Sequence, residues 1–156
     1  MAVAQLWDSV ITATIIVLVV SSVGCEAEHA IATFPVSGTV SINGEAPVGA
    51  IVGLHPSDGD FDEIGSRPAG QVGSDGTFKV STFGIQDGAP AGNYRVTVFW
   101  PQYPGRDDPG EDRLRGRLAL PDQSDIMVSI TEGDNTLDPI AIDNVSLLPG
   151  AGVATN

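Results

Sequence analysis

One cysteine, Cys25, stands in the 156 residues. That excludes an internal disulfide and a zinc site made of several thiolates. Basic residues are scarce as well, 7 Lys and Arg against 20 Asp and Glu, for a formal net charge of −13. Nucleic acid requires a basic footprint for its phosphates, so it is excluded as a partner class. The same balance gives no general attraction to anionic lipid headgroups. Histidine is limited to His29 and His55, and neither a sustained helical period nor an internal repeat is present. Punctuation is what abounds, with 19 glycines and 11 prolines between short apolar runs that bring hydrophobic content to 42%. Such runs describe a β-sandwich better than a disordered chain. The length admits one domain plus a leader, and packing alone must hold the core.

Val10 to Val20 reads VITATIIVLVV, the length of a signal-peptide apolar region and short of the ~20 residues that span a bilayer. Ser21, Ser22 and Gly24 then precede Cys25. This arrangement resembles the lipobox of bacterial lipoproteins, in which the leader is cut before the cysteine and the sulfur is diacylated. Gly24 supplies the small residue at the cleavage subsite and Cys25 the thiol. Two positions depart from the pattern: Ser22 stands where leucine is usual, and the first ten residues hold Asp8 and no Lys or Arg. Plain secretion with cleavage nearby and an uncleaved anchor are the alternatives. A reactive thiol is disfavoured, because Glu26 and Glu28 oppose a thiolate at Cys25, and His29 reads as a solvated tether residue. Residues 1–24 are therefore expected to be a lipoprotein signal peptide and 25–33 a tether.

From Phe34 onward, alternation with period two recurs. Val36, Gly38, Val40 and Ile42 share a face, and Asn43-Gly44 signals a tight turn. Ala50, Val52 and Leu54 form a second inward set. Gln71-Val72 and then Phe78 with Val80 flank the Ser74-Asp75-Gly76 turn. The clearest strand is Asn93 to Trp100, with Tyr94, Val96, Val98 and Trp100 inward. Ile126, Val128 and Ile130 mark another, and Leu137 to Ile142 the last, where Pro139 implies a bulge or an edge. The spacing predicts a seven-stranded immunoglobulin-like or transthyretin-like antiparallel sandwich over 34–143, with 144–156 a frayed, flexible tail. The long loop from Pro101 to Ser124 admits one short helix, capped by Asp108 with Pro109 at its first position and Glu111 two residues on. Leu114 and Leu118 would form its docking face, and Gly116 weakens it.

The stretches VSGTVSINGEAPVGAIVGLHP, GSDGTFKVSTFGIQDGAPAGNYRVTVFWP and DRLRGRLALP…ITEGDNTLDPIAI resemble the small carboxypeptidase regulatory-like, or transthyretin-like, lipoproteins abundant in planctomycete bacteria. The resemblance implies a scaffold akin to an accessory domain that has no catalytic residues. A scaffold does not fix a function. Transthyretin-like hydrolases of hydroxyisourate end in Tyr-Arg-Gly-Ser, whereas this chain ends PGAGVATN. No serine lies in a G-x-S-x-G elbow, so a non-enzymatic role is expected.

Four features remain as candidate sites. Asp58, Asp60, Asp62 and Glu63 start like a calcium loop, but Glu63 occupies the position that needs glycine. A solvated acidic loop is the plainer reading and weak calcium binding the alternative. Arg106, Arg113, Arg115 and Arg117 lie in the long loop, interleaved with Asp107, Asp108, Glu111 and Asp112. Local ion pairing is one reading, and docking of an anionic polymer or an acidic partner through Arg113, Arg115 and Arg117 is the other. Phe99 and Tyr103 form the expected exposed aromatic pair for a sugar ring, with Trp100 closing the core. Lys79, the only lysine, alternates with Phe78 and Val80 and should face solvent, which disfavours an isopeptide cross-link. No cofactor is expected beyond a covalent lipid on Cys25. The expected place is the cell envelope, membrane-anchored and facing the periplasm or the exterior, with envelope proteins or polysaccharide as partners. A weaker alternative is an accessory subunit of an envelope enzyme.

Overall fold

The computed structural model describes residues 31–150. The expected leader, Cys25 and His29 lie outside the described residues, as does 151–156. Eight strands form in chain order: β1 Val36–Ile42, β2 Ile51–Pro56, β3 Ala69–Gln71, β4 Thr77–Lys79, β5 Gly92–Phe99, β6 Met127–Ile130, β7 Asn135–Thr136 and β8 Ile140–Ile142. One 3-10 turn, Pro121–Gln123, precedes β6. One sheet has the order β3-β2-β5-β6, and the other joins β4 and β7 to β1, with β8 pairing further along β1.

The fold class is an all-β sandwich, as the alternation predicts, with two corrections. The last expected strand, Leu137 to Ile142, forms only at its end as β8, because Pro139 has no N–H to offer a ladder, and a separate short strand, β7, forms before it at Asn135–Thr136, where a turn was expected. And the sheet around β1 is mixed: β4 pairs with β1 antiparallel, whereas β7 and β8 both run parallel to it.

The inward faces fill one core, in which Val52, Leu54, Phe78, Val80, Tyr94, Val96 and Val98 are buried. Gly38 sits opposite Phe78 across the β1–β4 pair, and a Cβ there would lie 2.8 Å from the ring. The missing side chain makes room for the phenyl group. Tyr94, at the start of the longest strand, is buried and its hydroxyl donates to the Pro90 carbonyl at 2.7 Å, tying β5 to the connection before it.

Strand directions give the sandwich two distinct ends. The chain enters at Phe34, which exchanges backbone hydrogen bonds with Ala89. Pro35 accepts from Asn135, and Ser57 donates to Asn93, so the loops at 57–68, 82–91 and 131–134 gather at this entry end. At the far end, Trp100 Nε1 donates to the Val48 carbonyl and the long loop folds back over the sheet edge, Val98 donating to Leu118.

Two further expectations change at the far end. No helix forms at 108–118. Arg115 and Gly116 are left-handed, with φ of 58° and 76°, and the Asp112 carboxylate draws in the N–H groups of Trp100, Leu114 and Gly116. Leu114 and Leu118 are buried nonetheless. Residues 144–150 do not fray: Asn43 makes a two-way side-chain clamp on the Val145 backbone, Val145 is buried, and Leu147 packs against the core.

Candidate functional site

The far end is organised by Asp112, a buried acid. One of its oxygens accepts from Trp100 N at 2.9 Å and Leu114 N at 3.2 Å, and the other from Gly116 N at 2.8 Å. A carboxylate that gathers backbone donors in this way fixes the loop. Arg113 lies with its guanidinium carbon 3.7 Å from the centroid of the Trp100 ring. Its Nε donates to the Leu148 carbonyl at 3.0 Å, and Leu148 N returns a bond to the Arg113 carbonyl at 2.9 Å. Burial lowers the Arg113 pKa, with Glu45 opposing the shift.

The three arginines expected to act together are therefore separated in role. Arg113 is a packing residue that holds 148–150 against Trp100. Arg115 and Arg117 are exposed, and among the described residues no ion pair joins them to the interleaved acids. The ion pair found is Arg67–Asp60, at 2.7 Å. Arg106 lies over the Tyr103 ring, 5.0 Å from its centroid. Phe99 is half-buried on the outer face of its sheet opposite Ile51. The Phe99 and Tyr103 rings do not stack on each other; the aromatic pair among the described residues is Phe61 with Phe83.

The acidic loop does not converge on a point. Asp58 accepts from Asn93 at 3.4 Å, Asp60 pairs with Arg67, and Asp62 accepts from Ser66 N at 2.8 Å. The Ser66 bonds hold the Asp62 pKa below the usual carboxylate range. Its other oxygen is enclosed without a partner, but calcium requires about six to eight oxygens around one point. Among the described residues no cluster of three His, Cys, Asp or Glu side chains could hold a metal. Lys79 is exposed, as its alternation predicts.

Two groupings escaped the sequence reading. On the outer face of the β3-β2-β5-β6 sheet, His55 Nε2 lies 3.0 Å from Thr97 Oγ1. Gly53 opens this space, since a Cβ there would crowd the Thr97 hydroxyl. Burial lowers the His55 pKa and Arg67 lowers it further, which favours the neutral ring. The pairing register alone makes these residues neighbours, and no local motif announces it.

The other grouping is at the entry end. Phe61 and Phe83 meet edge to face, 6.3 Å between centroids, joining the 57–68 and 82–91 loops. Ile64, Phe83 and Ile85, on these two loops, are exposed. Asp87 holds the second loop in shape, accepting from Thr82 at 2.8 Å, Phe83 at 3.0 Å and Gly84 at 2.9 Å. Burial pushes the Asp87 pKa up, but those three donors together outweigh it and leave the pKa lowered. The signal was legible as aromatic and branched residues inside Gly- and Asp-rich loops, where no period assigns them to a core.

No protein-family model and no curated protein matches the chain. Among solved structures it is similar to a DUF3823 family protein from Parabacteroides merdae, at 18% identity with a TM-score of 0.38. The similarity covers 74% of this chain and 46% of that one, so the chain spans less than half the length of that protein.

Proposed function

We propose that the chain is a lipid-anchored, non-enzymatic interaction module of the bacterial cell envelope. In this reading it is a small lipoprotein of the carboxypeptidase regulatory-like, planctomycete kind, held by acylated Cys25. One observation supports it above others: the sandwich is polar, with entry at Phe34 at one end and the long loop bearing exposed Arg115 and Arg117 at the other. A protein tethered through residues 25–33 would present that loop away from its anchor. Trp100, Asp112 and Arg113 fix the base of the loop, so its arginines are offered on a rigid platform to an acidic envelope partner.

The test is affinity capture from envelope fractions with the wild type and with the double variant Arg115→Glu, Arg117→Glu. An acidic partner that is enriched by the wild type and lost with the variant supports the module. Equal recovery of the same partners by both removes the arginine loop from the proposal.

A further inference from the structure

The two most exposed large apolar side chains lie on loops of the entry end. Ile85 is 94% exposed, Ile64 86% and Phe83 53%. Single exposed apolar residues are ordinary on a soluble surface. These three instead sit on two loops that touch through Phe61 and Phe83, and one of the loops is built to hold its shape. Asp87 closes it with three backbone donors, and Gln86 N donates to Ser81 Oγ at 2.8 Å. Gln86 is left-handed, with φ of 55°, a conformation that costs a non-glycine residue. Gly88, with φ of 86°, packs so closely that a Cβ would overlap the Phe34 carbonyl. The loop is therefore locked to the point where the chain enters, and its apolar side chains are held outward.

Two observations select the occupant. The first is where the described chain joins the domain: Phe34 and Pro35 bond to Ala89 and Asn135 at this end, so the preceding segment is covalently attached here. At about 3.3–3.6 Å per residue, that segment cannot separate Cys25 from Phe34 by more than roughly 30 Å. The second is charge. Asp58, Asp60, Asp62, Glu63, Asp87, Glu132 and Asp134 belong to the loops of this end, against Arg67 and nearby Lys79, a balance that repels anionic headgroups.

We propose that Ile64, Phe83 and Ile85 seat the entry end on the surface of a neutral, zwitterionic bilayer, beside the acyl chains of Cys25. The inference rests on the lipid-anchor reading and adds an orientation to it. The three side chains reach the boundary between headgroups and acyl chains, while the acidic residues stay in the headgroup water. The far-end loop then points away from the membrane.

The experiment uses full-length protein isolated with its native modification and reconstituted into phosphatidylcholine vesicles brominated in the acyl chains. Ile85→Trp is compared with Leu120→Trp, an exposed position in the long loop, and intact mass reports the state of Cys25. The added fluorescence of Ile85→Trp should be quenched about twofold relative to unbrominated vesicles, as for a side chain at the acyl boundary. Leu120→Trp should be unaffected, and quenching of Ile85→Trp should weaken when phosphatidylglycerol is included. Lipidated protein with equal quenching at both positions overturns the membrane seat and leaves the anchor standing. A mass without lipid on Cys25 overturns both. A blue shift of Ile85→Trp that grows with protein concentration and is not quenched assigns this face to a second copy, and likewise overturns the seat.

Discussion

Arg113 stacks its guanidinium 3.7 Å from the centre of the Trp100 ring while its Nε holds the Leu148 carbonyl. This contact turns a residue that reads as a partner-binding cation into a structural one. Its stem and head also cover Trp100, so its loss exposes apolar surface as well as removing charge. Arg113→Ala should destabilise the domain by about 1–2 kcal/mol in denaturant unfolding and shift Trp100 fluorescence to the red. Arg115→Ala should stay within about 0.5 kcal/mol of the wild type. Equal effects from the two variants would contradict the assignment.

Asp112 predicts a larger loss. Removing its carboxylate strands three backbone donors, two of them buried, and each unpaired buried donor costs about 1–3 kcal/mol. Asp112→Ala should therefore cost roughly 2–4 kcal/mol. Asp112→Asn keeps one acceptor oxygen and should cost less. Identical midpoints for the two variants would show that the carboxylate does not organise the loop.

Tyr94 links strand packing to alkaline stability. Burial pushes its pKa up to about 12, whereas an unfolded tyrosine titrates near ~10. The unfolded state therefore loses its proton first, and this contribution to stability falls as pH rises from about 10 to about 12. Tyr94→Phe should cost about 1 kcal/mol at pH 7 by removing the bond to Pro90, and unfolding should become less sensitive to pH in that alkaline window. An unchanged alkaline profile in Tyr94→Phe would contradict this account.

Asp87 acts at the other extreme of pH. Its folded pKa lies below the unfolded value of ~3.9, so its contribution is present above that value and fades as pH falls through the folded pKa. Amide exchange at Thr82, Phe83 and Gly84 should accelerate on acidification below about pH 4, beyond the intrinsic pH dependence of exchange. In Asp87→Asn these amides should be less protected already at pH 7, with a flattened pH response. Superimposable profiles would remove the carboxylate from the role of loop closure.

The sandwich was legible because period-two alternation writes its inward face directly into the sequence, and Tyr94, Val96, Val98 and Trp100 are all buried as that pattern requires. Pro139 announced a disturbance in the last strand but could not say that two parallel strands would flank it, since pairing direction depends on distant backbone. The loop helix was misread for a related reason. Asp108 does receive the Gly110 N–H at 3.0 Å, but as a local turn, and Asp112 then redirects the chain through bonds to Trp100. The cluster at the entry end was visible as residue types and invisible as a surface. The juxtaposition of Phe61 with Phe83 joins the two loops.

Metabolic labelling with a clickable fatty acid, comparing the wild type with Cys25→Ser, tests the central claim most directly. The anchored-module account predicts a labelled wild-type band that remains with membranes and an unlabelled variant. Equal labelling of the two, or an unlabelled wild type, would contradict it.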